Sequence, residues 1–373
     1  MNIVNTAFGR CTRCQALPSK IEGRGKLYLW FPVKHILSKV VSILGQAQLD
    51  YQVLEDERCL KVALSQDNLE GLGKLLVARL TEKELKETKA LWMPSETEPQ
   101  FYDFSRVVSL HNFIHLSESE WLIDLLASER LTSYFQPIVY ANDPSRIFAQ
   151  EALLRGFDEH NRLISPSKIF TQAANAGLLF QLDVLARSSA IRQASQHRIK
   201  EHLFINFSPS AVYDPTTCLR MTVQAVDEAG IPHNKVVFEV TESEQPPDIR
   251  HLTNILRFYQ DAGFLVALDD FGTGYSNLNL IHQLRPDFIK LDMQLIRNVH
   301  QDPYKALITE KLLEITDQLG IRTVAEGVES VEEFDWVRER GATFVQGYLI
   351  AKPTTPPLNM TGYCELESMS VSA

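Results

Sequence analysis

Seven short apolar runs in this 373-residue chain each carry a polar side chain in or at the end of the run. These residues are Glu151, Asn206, Glu239, Asp269 with its neighbour Asp270, Lys290, Glu326 and Gln346. One acid at a strand end is commonly a satisfied polar group or an N-cap for the next helix. Seven in series lack that explanation, because the rest of each run is apolar. Carboxylates with an amide are hard oxygen donors and suit Mg²⁺ or Mn²⁺ rather than zinc. So many acids could hold two cations, the arrangement that supports in-line attack of water on a phosphodiester. The densest stretch is Val266-Ala-Leu-Asp-Asp-Phe-Gly-Thr-Gly-Tyr-Ser276, a buried-strand pattern ending in two adjacent carboxylates. Like charges that close repel, so a fold that keeps them usually supplies a cation.

The elements that must position these groups are strands alternating with helices. Strand patterns fall at 134–138, 147–153, 203–207, 236–240, 265–269, 288–291, 323–326 and 344–348. Helical patterns between them include Leu252, Ile255 and Leu256, and Leu307, Ile308, Leu312, Leu313 and Ile315. Eight strands with interleaved helices predict an α/β fold, a TIM-like (β/α)₈ barrel, whose active site lies at the C-terminal ends of its strands. The connection from 138 to 147 is too short for a helical crossover, so the first two strands are expected to be antiparallel.

Ahead of the barrel, strands at 26–31, 51–54 and 59–64 and helices over 34–48 and 69–80 predict a small α+β domain, a regulatory, ligand-sensing or dimerising module. The expected organisation is an irregular segment 1–25, the small domain 26–93, a linker and helix 94–116, the barrel 117–353 and a flexible tail 354–373. Residues 104–131 read as one helix, striped by Trp121, Leu122, Leu125 and Leu126. Cys11-Thr-Arg-Cys14 has half the ligands a zinc knuckle needs and reads as incidental.

Composition narrows the class. Hydrophobic content of 45% and charged content of 23% are ordinary for a globular protein, and a net charge of -10 argues against a duplex nucleic-acid binder. No apolar run is long enough to span a bilayer; Ile36 to Leu44 is interrupted by Lys39. Five scattered cysteines make no disulfide framework, and no signal-peptide layout is present, so a reducing cytoplasm is the expected compartment.

At the strand ends the chain resembles the EAL-domain family, phosphodiesterases that hydrolyse cyclic di-GMP to linear pGpG. The motifs stand as Glu151-Ala-Leu-Leu-Arg155, Phe135-Gln-Pro-Ile138, Asn206-Phe-Ser208, Glu239-Val-Thr-Glu242, Asp269-Asp-Phe-Gly-Thr-Gly-Tyr275, Ile289-Lys-Leu-Asp292, Ala325-Glu-Gly-Val-Glu329 and Gln346-Gly-Tyr348. The resemblance implies that Glu151, Asn206, Glu239 and Asp269 hold a first cation and that Asp269 and Asp270 bridge to a second, with Glu326 nearby. It implies that Lys290 holds the attacking water and that Glu242 fixes the loop after Asp270. Glu329 belongs to the same site by that resemblance, Arg155 to the substrate phosphate, and Gln136 and Gln346 to the substrate side. It also implies cyclic di-GMP as ligand and a homodimer through the barrel. The competing expectation is a catalytically silent cyclic di-GMP receptor or interaction module. Such relatives typically lack a metal ligand or the lysine, and this chain has them all.

Overall fold

The computed structural model describes residues 17–18, 21, 23–54, 58–128, 130–209, 212, 219–241, 249–272 and 278–359. By contact the chain divides into two compact units, Met1–Arg130 with Phe157–Leu182, and Leu131–Gly156 with Asp183–Ala373.

The smaller unit is built on an antiparallel sheet of β1 (Arg24–Trp30), β2 (Tyr51–Val53), β3 (Cys59–Ser65), β4 (Lys89–Pro94) and β5 (Val108–Ser109), in the order β2-β3-β1-β4-β5. Alternation along β1 and β3 sends Leu27, Leu29, Leu60, Val62 and Leu64 to one face. Helices Lys34–Gln46 and Gln66–Arg79 cover that face with Ile36, Val40, Leu44, Leu69, Leu72 and Leu76. β4 occupies residues whose end had read as linker; Ala90 and Leu91 are buried in it.

The single helix expected over 104–131 is instead a 3₁₀ turn Phe101–Arg106, strand β5 and two helices, Leu110–Ser117 and Glu120–Ala127. Ser109 is the reason for one break: extended at φ -66°, ψ 149°, it accepts the Asn112 N–H at 3.1 Å and starts a new helix. Leu110, Phe113 and Ile114 then complete the small unit's core, so this stretch is more than a linker.

The larger unit holds β6 (Leu131–Tyr140), β7 (Asp143–Phe157), β9 (His202–Asn206), β10 (Val236–Thr241), β11 (Leu265–Phe271), β12 (Phe288–Leu291), β13 (Arg322–Ala325) and β14 (Phe344–Val345); a two-residue β8 (Leu163–Ile164) interrupts the count. The eight form a closed barrel in the order β6-β14-β13-β12-β11-β10-β9-β7, shut by the pairing of β7 with β6. β6 runs antiparallel to both its neighbours, as the short 138–147 connection predicted, and the other pairings are parallel.

One layer of the barrel interior is apolar: Ile138, Ala149, Phe204, Val237, Ala267, Phe288, Val324 and Phe344, one from each strand, joined by Phe148. Strand side chains alternate with period two. The next inward position on seven strands is therefore Glu151, Asn206, Glu239, Asp269, Lys290, Glu326 or Gln346. On β6, which runs the other way, it is Gln136, two residues before Ile138. A polar layer thus sits directly above a greasy one, toward the C-terminal ends of the parallel strands.

Outside the barrel, helix Ile249–Asp261 buries Leu252, Ile255 and Leu256 as its stripe predicts. Helix Pro303–Gln318 forms where that periodic pattern lies and turns Thr309, Leu313 and Thr316 inward, which leaves Leu307 and Ile308 exposed. Thr354, placed at sequence level in a flexible tail, exchanges backbone hydrogen bonds with Phe135 at 2.7 and 2.9 Å, and Gln150 donates to the Leu358 carbonyl at 2.9 Å.

Candidate active site

Lys290, on β12, is buried to 1% exposure at the centre of the polar layer. Its Nζ lies 2.7 Å from Glu239 Oε1, 2.7 Å from Glu326 Oε1, 3.0 Å from Asp269 Oδ1 and 3.5 Å from Glu151 Oε2. Burial alone would lower the lysine pKa, but Asp269, Glu151, Glu239 and Glu326 together raise it well above its ordinary value, so it is a fixed cation.

Four carboxylates around one ammonium leave excess negative charge in a buried place. Burial pushes Glu239 and Glu326 well above the usual carboxylate range, and neighbouring acids add to the effect. Asp269 is raised by burial too, with Lys290 pulling the other way. Glu151 differs. Burial would raise it, but Lys290 and hydrogen bonds from Gln346 and Asn206 hold it below the ordinary value. Gln346 Nε2 donates to Glu151 Oε2 at 2.6 Å and Asn206 Nδ2 donates to Oε1 at 3.2 Å. Gln136 accepts from Gln346 at 3.3 Å and is itself tied to the Ala351 carbonyl at 3.0 Å.

The adjacent acids reach the site through a register shift. β11 pairs with β12 at Leu268 and again at Phe271 with a break between, and Asp270 sits at φ +55°. This irregularity lets Asp269 and Asp270 both serve the barrel mouth, which a regular pleat forbids. Gly272 follows at φ +106°; a Cβ there would lie 2.3 Å from Leu295 Cδ1, so only glycine lets the chain turn away. Burial, then Asp269 and Asp292, push Asp270 up to about 6. Oxygens of Asp269, Asp270 and Glu326 lie within 4.8 Å of one another.

These residues fit divalent cations. The donors are hard oxygens, their mutual repulsion calls for positive charge, and Glu239 Oε2, fully buried, has no hydrogen-bond partner. An orphaned buried carboxylate oxygen is costly unless something binds it.

Arg155 is on the same face of β7 as Glu151, four residues toward the strand's C-terminal end; its guanidinium donates to the Leu154 carbonyl at 2.8 Å and lies 5.3 Å from the Tyr134 ring centroid. Glu329 is not drawn into the lysine cluster: it pairs with Arg297 at 2.6 Å, which lowers its pKa. Glu242, Cys11 and Cys14 lie outside the described residues. Asp292 was missed as a site residue. It hydrogen-bonds to Asp270 and caps helix Met293–Ile296 by accepting the Gln294 N–H at 2.6 Å. Its signal was the Lys290-Leu-Asp292 spacing, which puts it just past the end of the lysine's strand.

With the geometry in view, comparisons identify the family. The profile described as "EAL domain" matches residues 119–353. The probable cyclic di-GMP phosphodiesterase PdeG of Escherichia coli K12 is 34% identical over 232 residues, 60% of this chain and 45% of that protein. The cyclic di-GMP phosphodiesterase PdeR of the same organism is 28% identical over 259 residues, 68% of this chain and 38% of that protein. The chain thus matches less than half the length of either relative. A standalone versatile EAL protein from Vibrio cholerae O395, solved in its c-di-GMP-bound form, is 37% identical with a TM-score of 0.57, covering 62% of this chain and 95% of that one. The chain belongs to the EAL-domain family.

Proposed function

We infer that the barrel hydrolyses cyclic di-GMP to linear pGpG with two divalent cations, Mg²⁺ or Mn²⁺. The observation that carries this reading is the buried Lys290 ammonium within 3.5 Å of four carboxylates beneath the barrel mouth. The descriptions of PdeG and PdeR as cyclic di-GMP phosphodiesterases support the reaction class. The bound ligand of the Vibrio cholerae protein supports the substrate.

The cations, held by Glu151, Asn206, Glu239, Asp269 and Asp270, would acidify water and offset phosphate charge. The chain's own groups do the rest. Lys290 holds the attacking water and stabilises charge as it develops on the phosphate. Glu326 fixes the lysine at 2.7 Å. Gln346 and Gln136 orient the Glu151 carboxylate, and Arg155 takes a substrate phosphate, which a planar guanidinium suits. Asp292 steadies Asp270. Glu242 keeps its expected task of holding the loop after Asp270, and Glu329 orders the rim through Arg297. The test is incubation with cyclic di-GMP and Mg²⁺, with pGpG read by chromatography. Binding without product would leave a receptor and not an enzyme.

A further inference from the structure

Arg187 is among the largest fully buried side chains, at 1% exposure, and it lies on helix Leu179–Gln196, away from the polar layer. Its guanidinium donates to Asp183 Oδ2 one turn earlier on the same helix, and its Nε donates to Thr222 Oγ1 at 3.3 Å. Asp183 is buried as well, and burial raises its pKa against the pull of Arg187. A buried ion pair is weak support for stability, since desolvation cancels much of the attraction and apolar replacements are often neutral. The pair therefore needs a reason in geometry.

Both partners grip the chain just past Asn206. Asp183 Oδ1 accepts the Ser208 N–H at 3.0 Å. The Arg187 Cζ lies 4.9 Å from the centroid of the Phe207 ring, which also meets Tyr259 edge-on at 5.5 Å and Phe238 at 6.5 Å. The Phe207 N–H meanwhile donates to the Glu239 carbonyl at 2.9 Å. Two consecutive peptides after Asn206 are thus anchored in different directions. Asn206 Nδ2 is directed to Glu151, which leaves Oδ1 as the atom free to face a cation.

We propose that Asp183 and Arg187 are positioning residues: together they clamp Phe207 and Ser208 and thereby aim the Asn206 amide oxygen at the cation site. This rests on the reading of Asn206 as a cation ligand. It extends the site to a helix on the outer wall of the barrel.

Mn²⁺ affinity of the full chain without nucleotide, read by electron paramagnetic resonance of the free ion, tests it apart from hydrolysis. The pair Asp183→Leu/Arg187→Met removes both charges and the acceptor for Ser208. Its melting temperature should stay near that of the wild type, while Mn²⁺ binding weakens by about 10–100-fold, as when a metal ligand loses its support. The pair Asp183→Asn/Arg187→Gln keeps an acceptor oxygen and should bind Mn²⁺ nearly as the wild type does. A folded apolar pair with wild-type Mn²⁺ affinity overturns the proposal, as does an amide pair that loses as much as the apolar one. If the apolar pair does not fold, Asp183→Glu serves: it keeps the charge and shifts the acceptor by one methylene, and unchanged Mn²⁺ affinity again overturns the proposal. A wild-type chain that binds no Mn²⁺ removes the cation site and this inference together. One that binds Mn²⁺ but yields no pGpG removes only the hydrolysis.

Discussion

Under the proposed function Lys290 and Glu151 have different tasks, so their substitutions should differ in kind. The lysine contacts four carboxylates, so its charge organises the layer. Lys290→Ala should lower kcat by about 10²–10³-fold, the scale for losing one group that stabilises transition-state charge. Cyclic di-GMP affinity should fall much less, as parallel turnover and calorimetry would show; equal losses would place the lysine on the substrate. Glu151 is the acid kept ionised by its neighbours, with three hydrogen-bonding or ionic partners around it. Glu151→Ala should bring hydrolysis below detection even at saturating Mg²⁺, measured as pGpG formed. At this scale the sequence was informative because each polar residue interrupts an apolar strand. Asp292 escaped because it follows a strand end and also looks like an ordinary helix cap.

Two elements decide whether those residues meet. The first is the apolar layer beneath them. Phe288 is fully buried, with Phe204 and Phe148 at ring distances of 5.2 and 5.8 Å and the Arg322 guanidinium at 3.9 Å. Phe288→Ala should cost about 3–5 kcal/mol, a drop of roughly 10 °C in barrel melting for a unit of this size, readable by calorimetry. The loss should reach the site, because Lys290 stands two residues along the same strand. The second element is the irregular stretch of β11. Sequence showed two acids and two glycines at a strand end. It did not show a shift in pairing between Leu268 and Phe271, because register depends on the partner strand and not on the strand itself. The Ser109 break in the expected long helix was likewise hard to read, since a serine is compatible with either continuing or capping a helix.

At the scale of the molecule, His202 makes stability depend on pH. It stacks on Phe148 at 4.3 Å. Burial, with Lys235 and Arg322 adding repulsion, lowers its pKa from 6.5 to about 4. Below pH 6.5 the unfolded chain takes up a proton that the folded barrel refuses, so stability is complete above that value and is lost as pH falls toward 4. His202 is only partly buried, so solvent screening keeps the effect modest. His202→Gln should flatten this part of the acid limb, seen as a smaller fall in melting temperature between pH 6.5 and 4.5 than in the wild type.

Truncation is the other test at this scale. The sequence reading expects a chain lacking residues 1–100 to keep a working barrel. Leu110, Phe113 and Ile114 belong to the small unit's core, however, so a chain starting at 101 should expose them. It should bind a hydrophobic dye and associate on size exclusion. A chain starting at 119, where the family match begins, should stay dispersed and still form pGpG.

The sequence by itself determined the barrel, its antiparallel first pair and nearly all the inward polar residues, because strand periodicity and connection length are local properties. The tertiary structure decided how those residues meet. It set four carboxylates around one buried ammonium, turned Glu329 away to Arg297, joined Asp292 to Asp270 and put Asp183 and Arg187 behind Asn206. Each of these pairings depends on register and packing between elements distant in sequence, which no local pattern encodes.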